Sequence, residues 1–228
     1  MTSLVVGWDP PAIPVENSAD HFPVRRIWCV GRNYADHVRE MGHDPSREPP
    51  FFFAKPSDAL VPMGGRLPFP SATADLHHEV ELAVALNAGG SDLSPAEASA
   101  CISGCALALD MTRRDLQDEA KRLSRPWDLA KGFDRSCPIT ALRLVDSWPS
   151  SITGTIRLSV NGEQRQIGDL SQMIWSVPEC LAALSRFVEL RPGDLLLTGT
   201  PSGVGAVRAG DVIDAQCALT PDLRVEYF

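Results

Sequence analysis

Apolar positions along this chain recur mainly with a period of two, in short runs cut by glycine, proline and asparagine. In residues 78–86 the alternation is complete: Val80, Leu82, Val84 and Leu86 point one way, and Glu79, Glu81, Ala83 and Ala85 the other. That is the pattern of a half-buried strand. Comparable runs at 27–31, 51–54, 102–109, 156–160, 195–198, 212–217 and 223–228 predict further strands. Asn161-Gly162 marks a tight hairpin, and Arg191-Pro192-Gly193-Asp194 and Arg208-Ala209-Gly210-Asp211 are turns that lead into strands. Helical spacing is sparser. Ser94-Pro95-Ala96-Glu97 and Ser176-Val177-Pro178-Glu179 are capping boxes, the second opening a helix to about residue 187. Residues 113–123 alternate charged and apolar positions as an amphipathic helix, and 32–41 form a short helical stretch closed by Gly42. Pro62, Gly64, Gly65, Pro68 and Pro70 exclude a helix between them. Many strands and about three helices, without strict alternation of the two, predict a β-rich α+β fold.

Length and composition narrow the field. A chain of 228 residues, 44% hydrophobic, holds one large domain or one domain with a small appendage. Pro10, Pro11, Pro14 and Pro23 make the start an extended lead-in or a small strand pair, so the expected division is 1–25 lead-in and 26–228 main domain. A net charge of −8 with no block of like charge argues against nucleic acid and against an anionic membrane surface as partners. No apolar run reaches bilayer length, and residues 1–9 lack a secretory pattern, so a cytoplasmic protein is expected. Cys29, Cys101, Cys105, Cys137, Cys180 and Cys217 are scattered without zinc spacing and read as buried thiols.

Candidate chemistry centres on the acids. Glu79 and Glu81 leave one face of one strand, where adjacent like charges raise each other's cost of ionising. Either the strand is an exposed edge with two solvated glutamates, or a cation relieves the repulsion. Asp110, where the 102–109 strand ends, either caps the helix near Arg113 or joins the pair as a third carboxylate. As a triad the set is all oxygen and suits Mg²⁺ first, then Mn²⁺ or Ca²⁺. His77 and His78 flank the pair, but a metal site using them would lean toward zinc or iron, so they read as supports behind the ligands or as structural. His37 and Glu40, three residues apart, share a helix face: a solvated surface pair, or an imidazole oriented by a carboxylate as a general base needs. Arg32, Arg114 and Lys131 are cations able to hold an anionic substrate, and Gln117 lies one turn from Arg114. The Gly-rich stretch 198–205 has neither the Walker lysine nor a dinucleotide glycine order, but its amides can cradle a carboxylate.

Seven stretches together resemble the fumarylacetoacetate hydrolase family. They are Gly31-Arg32-Asn33-Tyr34-Ala35-Asp36-His37, Phe53-Ala54-Lys55-Pro56, His78-Glu79-Val80-Glu81-Leu82, Leu109-Asp110-Met111-Thr112, Arg114-Asp115-Leu116-Gln117, Ala130-Lys131-Gly132-Phe133-Asp134 and Thr198-Gly199-Thr200-Pro201-Ser202-Gly203-Val204-Gly205. Within the family the chain most resembles the acylpyruvase branch, and the segment from Met41 through Phe53 resembles bacterial fumarylpyruvate hydrolases of gentisate degradation. The resemblance implies a mixed β-sandwich roll with a few short helices, usually a homodimer. It implies Mg²⁺ or Mn²⁺ on Glu79, Glu81 and Asp110, a His37–Glu40 dyad, and Lys131 and Gln117 lining the site. Arg32, Arg114 and Thr200 become substrate contacts. The activity expected is hydrolysis of an acylpyruvate at a carbon–carbon bond, fumarylpyruvate giving fumarate and pyruvate. A far carboxylate on that substrate needs a cation, and Arg47, Arg66 and Arg122 are the candidates. Relatives that decarboxylate oxaloacetate or tautomerise 2-oxo acids on the same metal supply the rival reading, and a non-catalytic carboxylate- or metal-binding protein a third.

Overall fold

The alternating runs become strands because β-branched and aliphatic side chains spaced two apart bury a face of a pleated sheet wherever turn residues let the chain reverse. In a computed structural model, which describes residue 7 and residues 9–35 and 48–228, these strands form four sheets. The largest has eight strands. Its main path runs Phe51–Lys55, Arg26–Gly31, Asp194–Leu197, Val80–Leu86, Ile102–Leu109, Cys137–Ile139 and Leu60–Pro62, with Arg143–Leu144 also on Ile102–Leu109. A five-stranded sheet runs Glu163–Asp169, Thr155–Val160, Val212–Cys217, Leu223–Tyr227 and Gly65–Leu67. Thr112–Arg113, Leu76–His78 and Gly205–Val207 form a three-stranded sheet, and Ala12–Pro14 pairs with His21–Pro23. The β-rich α+β expectation holds: the molecule is strand-rich, with a curled sheet and few helices.

Both faces of the large sheet are covered. Val80, Leu82, Val84, Leu86, Leu107 and Leu109 enter a core shared with Ile156, Leu158, Ile213, Ala215 and Val225 of the five-stranded sheet. Ala83, Ala85, Ala106 and Ala108 face the other way, into a smaller core closed by Ile13 and Val24 of the N-terminal segment. All seven residues of Val80–Leu86 are therefore buried, and the strand lies between Asp194–Leu197 and Ile102–Leu109. The alternation was read correctly, but neither of its faces meets solvent and the strand is not an edge. Small residues on the second face admit the N-terminal cover at close range, which hydropathy alone does not reveal.

The helices are short. Pro95–Ala100 has the expected capping box, with the Ser94 hydroxyl accepting from the Glu97 amide. Arg114–Arg122 is the amphipathic helix, and Val177–Leu184 ends three residues before the expected stop. Asn161 and Gly162 both take positive φ, 53° and 81°, as a two-residue hairpin with right-handed strand twist requires. All six cysteines are buried thiols. Burial pushes the Cys137 thiol up to about 12, which removes it as a nucleophile. Among the described residues no helix is long and apolar enough to cross a membrane.

Candidate active site

Three chain segments turn the same corner, where the large sheet gives way to the three-stranded one. The first passes from Leu76–His78 through Glu79 into Val80–Leu86; the second leaves Ile102–Leu109 through Asp110 toward Thr112–Arg113. The third leaves Asp194–Leu197 through Gly199 and Thr200 and returns as Gly205–Val207. Register locks the corner: Val80 lies opposite Leu109, His77 opposite Thr112 and His78 opposite Gly205. The Asp110 amide donates to the Glu79 carbonyl at 2.8 Å. One corner therefore gathers acids that are about thirty residues apart in sequence.

The carboxylates of Glu79, Glu81 and Asp110 converge, with one oxygen from each lying within 4.8 Å of the others. All three residues are buried. Three cations surround them. Lys131 Nζ donates to Glu79 Oε2 at 2.7 Å and to Asp110 Oδ2 at 2.6 Å. Arg114 Nη2 donates to Glu79 Oε1, and its Nη1 donates to Gln117 Oε1 at 2.5 Å. Lys55 Nζ lies 2.8 Å from Asp110 Oδ1. Burial opposes the charge on Lys131, but Asp110 and Glu79 outweigh it and hold its ammonium above the ordinary lysine value. Burial first, then the Asp110 and Glu79 charges, push the Glu81 carboxyl well above the carboxylate range, against an opposing bond from the Gly199 amide.

The donor set fits a hard divalent ion. The three hydrogens of the Lys55 ammonium go to Met111 O at 3.1 Å, Ser136 Oγ at 3.0 Å and Lys131 O. Lys55 thus faces Asp110 Oδ1 as a charge, and that fully buried oxygen makes no hydrogen bond. A lone pair in such a position, beside two more carboxylates and no soft ligand, suits Mg²⁺ or Mn²⁺. His77 is committed elsewhere: Arg114 Nε donates to its Nδ1 at 3.4 Å, so its Nε2–H faces Asp75 at 3.0 Å. His78 is held by Gln166 at 2.9 Å. Among the described residues, neither histidine is in the group of side chains that could hold a metal ion. Asp110 does not cap the helix at Arg113, which has no side-chain cap, because its carboxylate is held by the lysines.

A cleft opens from the triad, lined by Arg32, Phe51, Phe53, Arg114, Gln117, Lys121, Trp127, Lys131, Gly199 and Thr200. Trp127 meets Phe51 and Phe53 edge-on at 5.9 and 5.8 Å, which builds an aromatic wall. Arg32 sits over Phe51 at 5.7 Å. Its φ of 58° is held by its neighbour Asn33, whose Nδ2 donates to Thr198 O at 2.8 Å and to Trp175 O at 3.0 Å. The Thr200 hydroxyl donates to Val80 O at 2.9 Å and accepts from Gln166 at 2.8 Å, so its single hydrogen is spent inside the protein. A substrate oxygen near Thr200 therefore has no hydroxyl hydrogen to accept.

His37 and Glu40 lie outside the described residues, as does Arg47. Arg66 pairs with Glu226 at 3.1 Å on the five-stranded sheet, and Arg122 is exposed; neither lines the cleft. Lys121 lines it instead, because it shares the Arg114 and Gln117 face of the helix whereas Arg122 is turned away by about 100°. Sequence reasoning also missed Lys55, Asn33 and Gln166 as parts of the site. Lys55 and Asn33 stand inside stretches already singled out, whereas Gln166 lies in a polar strand, Glu163–Asp169, and gives no hydropathy signal.

The fold and corner define a cluster of three buried carboxylates that could hold a metal ion, on a strand-rich roll. The model of the fumarylacetoacetate (FAA) hydrolase C-terminal domain matches residues 26–226, and the chain belongs to that family. Among solved structures, the fumarylpyruvate hydrolase of Pseudomonas aeruginosa in complex with Mn²⁺ and pyruvate is 46% identical. It superposes with a TM-score of 0.95 over 99% of both chains. Among curated relatives, the mitochondrial oxaloacetate tautomerase of Rattus norvegicus is 46% identical over 85% of this chain and 90% of its own. The mitochondrial oxaloacetate decarboxylase of Dictyostelium discoideum is 43% identical over 86% and 89%.

Proposed function

We propose that this chain is a divalent-metal-dependent hydrolase of acylpyruvates, cleaving fumarylpyruvate to fumarate and pyruvate in the breakdown of gentisate. The observation that carries the reading is the convergence of three buried carboxylates and three buried cations at the head of a cleft with an aromatic wall. The family relative solved with Mn²⁺ and pyruvate supports it. Glu79, Glu81 and Asp110 hold the ion, Mg²⁺ or Mn²⁺, which when bound supplies Lewis-acid polarisation of neighbouring oxygens.

The chain's own residues do the rest. Three carboxylates balance Lys55, Lys131 and Arg114 in formal charge, so a bound divalent ion leaves the site positive and attractive to a dianion. Arg114, Gln117 and Arg32 orient the 2-oxo acid end, and the Phe51, Phe53 and Trp127 wall takes the flat acyl chain. His37, oriented by Glu40, takes a proton from water, whose oxygen bonds to the distal carbonyl carbon. The carbon–carbon bond then breaks, its electron pair passing to the pyruvate fragment, where the Lys131 ammonium faces the oxygen that gains charge. The proton taken up by His37 returns to the carbon of that fragment and yields pyruvate. The same reading carries a homodimer in the cytoplasm.

Tautomerisation or decarboxylation of oxaloacetate is a second reading, favoured by the names of the curated relatives. It uses the same ion and the same enolate but no attacking water. Loss of diketone absorbance, followed for fumarylpyruvate, acetylpyruvate and oxaloacetate with Mg²⁺ and after chelation, separates the readings. Turnover of the acylpyruvates that vanishes in His37→Ala is the expected result. Reaction of oxaloacetate alone, persisting in His37→Ala, sinks the hydrolase reading. No metal-dependent turnover of any of them leaves a binding protein.

A further inference from the structure

Gln166 lies far from the triad in sequence and on a different sheet, yet it is fully buried and touches the peptide between the two glutamates. Its Oε1 accepts from the Val80 amide at 3.1 Å and faces His78 Nδ1 at 2.9 Å. Its Nε2 donates to Thr200 Oγ1 and to Pro201 O, both at 2.8 Å. The amide orientation follows from its partners, because an amide N–H only donates and a carbonyl only accepts. His78 must then present Nδ1–H to Gln166. The Thr200 hydroxyl donates in turn to Val80 O at 2.9 Å. Gln166, Val80 and Thr200 thus close a ring: Gln166 Oε1 to Val80 N–H, Val80 C=O to Thr200 O–H, and Thr200 Oγ1 to Gln166 Nε2.

The ring does something ordinary sheet pairing does not. It grips the N–H and the C=O of Val80, the residue that separates Glu79 from Glu81, and ties both to the loop carrying Gly199. That loop's Gly199 amide donates to Glu81 Oε2 at 2.7 Å. Gln166 therefore bears on Glu79 through the Val80 peptide, and on Glu81 through that peptide and through the Thr200 loop. A glutamine with four partners cannot rotate without losing several at once.

We propose that Gln166 is the positioning residue of the acid pair, setting the angle at which Glu79 and Glu81 converge and so the affinity of the triad for a divalent ion. The proposal rests on the reading of Glu79, Glu81 and Asp110 as a cation site. Outer hydrogen-bond partners of metal ligands typically govern affinity by about 10–100-fold.

The test is the affinity for Mn²⁺, titrated calorimetrically into the metal-free full-length protein, with thermal melting alongside. Gln166→Leu keeps the volume and removes all four bonds; Thr200→Val opens the ring from the other side and leaves Gln166 in place. Weakening of Mn²⁺ binding by about 10–100-fold in folded Gln166→Leu, and in the same direction in Thr200→Val, is the expected result. Thr200→Ser, which restores the hydroxyl, should return binding to within about threefold of wild type. If Gln166→Leu does not fold, the Thr200 pair alone decides. Melting that falls in these variants while Mn²⁺ affinity stays at the wild-type value overturns the proposal, since Gln166 then only fastens the two sheets. A wild-type protein that binds no Mn²⁺ overturns the cation-site reading itself, a different failure read in a different sample.

Discussion

Lys55 shows how a buried charge is tolerated at a site that has to stay polar. Its three hydrogens satisfy Met111, Lys131 and Ser136, while its charge offsets Asp110 without occupying that carboxylate's lone pair. An aspartate so placed keeps an oxygen for a ligand. Removing one partner of a buried pair leaves an uncompensated charge, which costs about 3–5 kcal/mol. Lys55→Met should lose about that much stability in urea denaturation. Asp110→Asn should then cost less in the Lys55→Met background than in wild type, because the charge Lys55 was offsetting is gone. Equal costs in both backgrounds would show that the two residues are not coupled.

At the scale of elements, the site depends on loops that leave a rigid sheet at a common corner. The loop after Asp194–Leu197 brings its Gly199 amide onto Glu81, and it does so at a φ of +94°. A Cβ there would stand 2.8 Å from Asn33 Cβ, the residue that holds Arg32 in its turn. Gly199→Ala is expected to lose about 1–3 kcal/mol of stability, from backbone strain and the contact together, and to weaken Mn²⁺ binding. Gly210 is the control: its φ is +93°, but nothing lies within 4 Å of an added Cβ. Gly210→Ala should show the strain alone, about 1 kcal/mol, and bind Mn²⁺ normally. Thermal melts and calorimetry on the two variants make the comparison, and equal Mn²⁺ affinities in both would remove Gly199 from the site.

For the whole molecule, a cation that binds only the folded state couples the site to global stability. At a free concentration one hundred times its dissociation constant, the gain is about 2.7 kcal/mol. For a chain of this length that raises Tm by about 5–10 °C. Mg²⁺ or Mn²⁺ should therefore raise the melting temperature and chelator reverse it, while Glu81→Gln and Asp110→Asn should melt at one temperature with or without metal. A metal-induced shift that survives in both variants would put the ion elsewhere. The site draws on three of the four sheets formed by the described residues, so the coupling reaches beyond the loops that carry it.

Much of this was legible in the chain itself. Strand alternation, the Asn161-Gly162 turn, the Ser94 capping box and the acids at 79, 81 and 110 are local signals, set by side-chain period, φ preference and charge, and the folded protein keeps them. The resemblance carried by seven ordered motifs was legible for the same reason, since each is a short run of residues. What the alternation left open was whether the Glu79 strand faced water. Burial of a strand on both faces depends on what covers it, here Ile13 and Val24 on one side and the five-stranded sheet on the other. Only the tertiary structure decided that Lys55 and Lys131 share Asp110, that Lys121 rather than Arg66 or Arg122 reaches the cleft, and that Gln166 grips Val80. Those contacts join residues 21 to 86 positions apart, and no local period records a pairing made across sheets.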